Sequence, residues 1–162
     1  MAGASGFGVR SLVEAGMDIS RAGAALGVAS AAALGVRVVG GWWLDRLSSR
    51  GNLALLGLVS VGAIGAMLMA TGAPWVMVIG IDLCVCGSWS WPPLLLMKVL
   101  QRFSHAPGSA SGHLQVGASI GAASGPLAFG IVVQQTSYAA GWLMIVASAV
   151  IAAGLILRAT GR

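Results

Sequence analysis

The chain has 162 residues, of which 57% are hydrophobic and 8% charged, with nine Lys or Arg against four Asp or Glu and a net charge of +5. Soluble domains carry roughly 25% charged residues, so this composition excludes a soluble globular protein and makes the lipid bilayer the first partner. Its basic residues come one or two per connection, not as the stripe or tail that phosphate binding requires, so no nucleic acid is expected.

Residues 1–20 hold a patchy apolar run broken by Arg10 and Glu14, long enough for half a span. They carry no basic segment followed by an apolar stretch and a cleavage site, and so do not read as a removable signal peptide. Five uninterrupted apolar runs follow, predicting spans at about 21–44, 53–73, 75–100, 111–134 and 138–158. The expected fold is an all-α membrane protein, a polytopic bundle of five transmembrane helices with a partial helix ahead of them. At about 20 residues per span, the whole of 1–162 forms one membrane domain with no room for a soluble one.

The first run ends in GVRVVGGWWLDRLSSRG, 35–51, where Arg37, Asp45, Arg46 and Arg50 crowd together. Arg37 lies eight residues before Asp45, about 12 Å along a helix. It is therefore inside the hydrocarbon edge and must snorkel or pair. Gly40 and Gly41 leave no side chain to block a neighbouring helix. Connections alternate in charge from here on. Arg46 and Arg50 mark 45–52, Lys98 and Arg102 mark 98–108, and Arg158 and Arg162 mark the tail, whereas TGAP at 71–74 and QQTS at 134–137 carry no charge. Basic connections stay in the cytoplasm, which puts those two loops and the C-terminus inside and the N-terminus outside, in the cell membrane. Arg10 and Arg21 depart from the pattern beside Glu14 and Asp18. Trp42, Trp43, Trp75, Tyr138 and Trp142 fall near predicted span ends, where amphipathic rings favour the headgroup level.

Asp82 lies seven residues into the third predicted span, at a depth of about 10 Å. An acid there costs about 2.5–3.5 kcal/mol on insertion scales and should face a cavity or a partner. A helical wheel groups Asp82 with Cys86, Trp89 and Pro93, and Pro92-Pro93 is expected to interrupt the helix near mid-membrane. This face is the candidate site, with Asp82 binding a proton or a cationic group of a substrate; the plainer reading is an acid hydrogen-bonded to a neighbouring helix, with Trp89 as packing. Cys84 and Cys86 are two residues apart, on different faces, with no further Cys in the chain. They read as free thiols in apolar surroundings. No metal or cofactor signature is present and none is expected.

In the fourth span, GASIGAASGPLAFG, Gly117, Gly121 and Gly125 recur every four residues and Pro126 follows. Such spacing lets helices pack backbone to backbone, and Gly-Pro adds a bend point, for static packing or for a sliding, gating contact. The same stretch fits the G-x-S-x-G nucleophile pattern at Ser119. A serine nucleophile needs a base within reach. His113 lies six residues away, about 9 Å along the axis and on the opposite face, so an enzyme is not expected.

The segment from Gly41 to Arg50, Gly-Trp-Trp-Leu-Asp-Arg-Leu-Ser-Ser-Arg, resembles the G-x-x-x-D-R-x-G-R-R signature of major facilitator superfamily transporters. That signature joins the second and third helices of each six-helix half, and Arg37 fits its run-up. Ser48 and Ser49 depart from it. Gly121 to Pro126 is similar to the family's G-x-x-x-G-P antiporter signature, and TSYAAGWLM, 136–144, resembles the lead into its last helix. The resemblance covers nearly the whole chain and implies helices eight to twelve, with 1–20 as the end of helix seven: half of a facilitator-type fold. It further implies a secondary permease for a small solute, working by alternating access at a midplane site. In that setting Asp45 would face a helix N-terminus of the first half, where the dipole favours negative charge. A truncated half is not expected to transport alone. The competing expectation is a small non-transporting membrane subunit that recruits another helical bundle through Gly117, Gly121 and Gly125.

Overall fold

The computed structural model describes residues 2–45 and 51–160, with side-chain surroundings for 6–39 and 52–158. It is an all-α bundle: α1 (Ala2–Glu14), α2 (Ile19–Asp45), α3 (Gly51–Met69), α4 (Pro74–Arg102), α5 (Pro107–Gln135) and α6 (Tyr138–Thr160). Stretches of α2 to α6 are long and apolar enough to cross a membrane, making this a multi-pass membrane protein. α4 and α5, at 29 residues each, are about 43 Å long. That exceeds the roughly 30 Å hydrocarbon core, so both must tilt or project beyond it.

Local chemistry explains the breaks between helices. α1 closes in a glycine cap: Gly16 takes φ +94°, its N–H donates to the Val13 carbonyl, and the Met17 N–H donates to Leu12. This pair of bonds satisfies two carbonyls that the helix end would leave open. Asp18 then starts α2 by accepting bonds from the Ser20 hydroxyl and from the Ser20 backbone N–H, as an N-cap does. Those bonds, the hydroxyl's foremost, hold the Asp18 carboxyl below its ordinary pKa. Between α3 and α4, Gly72 turns the chain at φ +72° and Pro74 opens the next helix, where its missing N–H costs nothing. Ser137 starts α6 by accepting the Ala140 N–H through its hydroxyl.

Short connections make α2 and α4 run in one sense with α3 antiparallel to them. α4 is the hub, touching α1, α2, α3 and α5, while α6 lies against α3 and α5. The α3–α4 seam is made of glycine. A Cβ placed on Gly65 would lie 2.3 Å from the Cys84 backbone nitrogen, and one on Gly87 would lie 2.3 Å from the Gly62 nitrogen. A Cβ on Gly80 would in turn lie 3.0 Å from the Gly65 carbonyl oxygen. The two backbones therefore meet with no side chain between them, the arrangement that holds helices together in lipid. At the basic end, the Lys98 ammonium donates to the Asn52 side-chain oxygen and ties the same pair again.

An aromatic cluster closes the opposite end. Phe129 of α5 lies 4.7 Å from Phe7, 5.3 Å from Trp142 and 6.5 Å from Tyr138, centroid to centroid. Trp142, expected at the headgroup level, is instead fully buried in this cluster; one turn after Tyr138, its ring turns into protein. Phe129 is the one buried residue among the described side chains of α5. α5 is thus pinned near its C-terminus and is exposed at every residue of its middle, 115–125.

Candidate functional site

Pro92 and Pro93 do not interrupt α4, which runs through both. A proline removes the N–H that would bond the carbonyl four residues earlier, so Pro93 deprives the Trp89 carbonyl of its helix partner. Arg37 replaces it. Its Nε and one terminal nitrogen donate to the Trp89 oxygen at 2.8 and 2.6 Å, and the guanidinium sits 5.2 Å over the Trp89 ring. Arg37 must pair within the hydrocarbon, and the pairing is a charge-assisted fork onto a proline-freed carbonyl, supplemented by the ring face. This contact locks α2 to α4 across 52 residues of sequence.

Asp82 stands two turns before Trp89 on α4. One carboxylate oxygen, Oδ1, is buried and has no hydrogen-bond partner among the described residues. Because α2 and α4 run in the same sense and meet at Arg37 and Trp89, Ser30, seven residues before Arg37, comes to about the same depth as Asp82. The Ser30 hydroxyl is already spent on the Leu26 carbonyl at 2.8 Å. Among the described residues the only ion pair joins Arg10 to Glu14, at 3.9 Å within α1. Asp82 therefore combines a buried acceptor with no cation bound to it, and its chemistry is open to a proton or a donor. Cys86 is half-buried one turn on, while Trp89 and Pro93 are exposed.

The cavity next to α4 lies on its other side. A groove of about 370 Å³ opens between α4, α5 and α6, bounded by Cys84 and Ser88, by Gly121, Ser124 and Gly125, and by Ser148, with Pro126, Phe129, Met144 and Ile145 completing it. Ser88 and Gly121 stand at the midpoints of their helices and Ser148 within one residue of its own, so the groove lies at mid-span. The glycine face of α5 makes it possible. A Cβ on Gly117, Gly121 or Gly125 would meet no atom within 4 Å. The expected backbone-to-backbone contact is not made among the described residues, and the face borders open space.

A second, wider cavity of about 690 Å³ lies at the aromatic end, between α1, the α3–α4 turn and the α5–α6 connection. Arg10, Glu14, Gln134 and Tyr138 are among its lining residues.

The structure thus brings Arg37 to Trp89, leaves Asp82 without a bonded partner among the described residues on the same side of α4, and puts Gly121, Gly125 and Pro126 around the mid-span groove. Gly41 and Asp45 belong to the last turns of α2, but their surroundings, like Arg46 and Arg50 altogether, lie outside the described residues. Sequence reasoning missed the serines of the groove and the glycines of the α3–α4 seam. The signals were present: Gly62 and Gly65 share α3, and Gly80 and Gly87 recur one heptad apart on α4. Compared with protein-family models, curated proteins and solved structures, the chain finds no match.

Proposed function

We propose that this protein supplies one half of a membrane permease of the facilitator type, moving a small solute by alternating access together with a second helical bundle. One observation carries the reading: Asp82, inside a span, holds a buried carboxylate oxygen with no partner among the described residues. A membrane protein keeps an acid at such cost where it works, as a proton carrier or a counter-charge. The locked α2–α4 pair beside an α5 exposed through its middle adds to this, because rocking transport needs some helices to move as a body while others change neighbours. The signature-like segment Gly41 to Arg50, with Asp45 at its centre, supports the family assignment on sequence resemblance.

Reconstitution into proteoliposomes, alone and with a co-expressed first half, tests the proposal. Solute flux is expected in the paired state and not with this chain alone, and Asp82→Asn is expected to abolish it at unchanged expression. Paired flux that survives Asp82→Asn would overturn the role of the acid.

A second reading draws on a different observation, the open space beside Gly117, Gly121 and Gly125. Small residues on an unpacked helix face are what a partner helix requires, so a non-transporting subunit would use α5 as its docking edge. A defined oligomer or complex that Gly121→Leu disrupts, with no flux in any pairing, would favour this reading.

A further inference from the structure

The mid-span groove has a chemistry of its own. The Ser124 hydroxyl donates to the Ile120 carbonyl at 2.8 Å and the Ser148 hydroxyl to the Met144 carbonyl at 2.9 Å. Each serine has thus spent its hydrogen on its own helix and has only oxygen lone pairs left to offer. Next to Cys84, Ser88 also lines the groove. Its backbone carbonyl has no helix N–H to accept, because residue 92 is proline. Ser124 and Ser148 therefore offer acceptors only, and the donors left among the lining side chains are the Ser88 hydroxyl and the weakly donating Cys84 thiol.

The remainder is apolar: Phe129, Met144, Ile145, the Pro126 ring and the bare backbone at Gly121 and Gly125. Among the described residues no acidic or basic side chain lines the groove. Asp82 points away from it, offset around α4 by about 160° from Cys84 and about 120° from Ser88. A cation would find no counter-charge at mid-membrane, and an anion would face lone pairs. A purely apolar molecule would leave the acceptors unmatched, whereas a neutral donor meets them where the low dielectric strengthens each bond.

We infer that the groove between α4, α5 and α6 is a binding site for an uncharged, largely apolar molecule that carries a hydroxyl donor, of the phenol or alcohol class. Its volume of about 370 Å³ is at the small end of the roughly 300–1,000 Å³ of ligand pockets. Entry is from the bilayer, past the open glycine face of α5. Such binding requires only the groove and is independent of whether the protein transports.

The test uses the full chain in nanodiscs, with Gly125→Cys as a reporter in a Cys84→Ala, Cys86→Ala background. Gly125 lines the groove and has space for the new side chain. Alkylation by N-ethylmaleimide is followed with three near-isosteric probes at matched membrane mole fractions: 4-butylphenol, its donor-less methyl ether 4-butylanisole, and butylbenzene. 4-Butylphenol is expected to reach half-protection at roughly tenfold lower concentration than the other two, the worth of about one hydrogen bond. Ser124→Ala with Ser148→Ala is expected to bring that ratio close to one, with protection measured against the same variant's alkylation without probe. Gly121→Trp, filling the groove, is expected to remove protection by every probe. Equal protection by butylbenzene and 4-butylphenol would reduce the groove to a space for lipid chains and overturn the inference. Protection that survives Gly121→Trp, or stronger protection by 4-butylbenzylammonium than by the phenol, would overturn it as well.

Discussion

The two sides of α4 use glycine in opposite ways. Toward α3, Gly62, Gly65, Gly80 and Gly87 bring two backbones into contact, and no Cβ fits at any of the last three without displacing backbone or close-packed atoms. Toward α5, the glycines at 117, 121 and 125 follow the more regular spacing and touch nothing among the described residues. The periodicity that reads as a packing motif therefore only permits a contact. Whether it is made depends on what stands opposite: α3 presents its own glycines to α4, whereas α5 is held off by the Phe129 cluster at one end.

The largest break in that comparison comes from filling the closed seam. Gly65→Ala puts a methyl group where the Cys84 nitrogen is 2.3 Å away, and forced overpacking costs about 1–3 kcal/mol or more. The α3–α4 pair is expected to separate at markedly lower denaturant, measured by circular dichroism in mixed micelles. Next in size is Arg37→Met, which strips the Trp89 carbonyl of both donors and is expected to cost about 2 kcal/mol, in the range of charge-assisted bonds. Pro93→Ala restores an N–H to that carbonyl, so Arg37→Met should cost far less in a Pro93→Ala background. Equal costs in the two backgrounds would show that Arg37 does not act through the carbonyl.

Asp82→Val is expected to raise stability by about 1 kcal/mol or more, because it removes a buried polar atom that bonds to none of the described residues. A loss of stability would reveal a structural partner and weaken the functional assignment. On the open side, Gly121→Ala is expected to change stability little, or to raise it by up to about 1 kcal/mol through helix propensity. A large loss in the purified chain would show that the face is covered after all.

The smallest expected effect lies outside the spans, at Asp18. Its carboxyl is held below the ordinary value by the Ser20 bonds, so the cap is fully present above the unfolded-state pKa and fades as pH falls through the lower folded value. Hydrogen exchange at the start of α2 is expected to quicken over that acid window, and Asp18→Asn should flatten the dependence by keeping a neutral cap.

Much of this architecture was legible residue by residue. Span number followed from uninterrupted apolar runs, which lipid enforces because backbone groups there must bond within the helix. The need of Arg37 for a partner was equally clear, since a guanidinium has few places to go at that depth. Its actual partner was not, because it is a backbone oxygen that Pro93 sets free on another helix. The proline pair, which in the sequence signals an interruption, does not break α4; a helix tolerates the missing bonds when another group takes over the carbonyl. Trp142 was misplaced for a related reason, as an aromatic near a span end can face lipid or protein with the same sequence signature.

What the sequence determined by itself was the set of helices, their lengths and their order, together with the few polar groups that lipid would not leave idle. Those properties depend on one segment and its solvent. Tertiary structure alone decided which glycine faces close and which stay open, and on which side of α4 a cavity forms. Both depend on pairs of surfaces, and in a bilayer, where apolar side chains gain little by leaving lipid for protein, small differences in shape choose among pairings that hydropathy cannot tell apart.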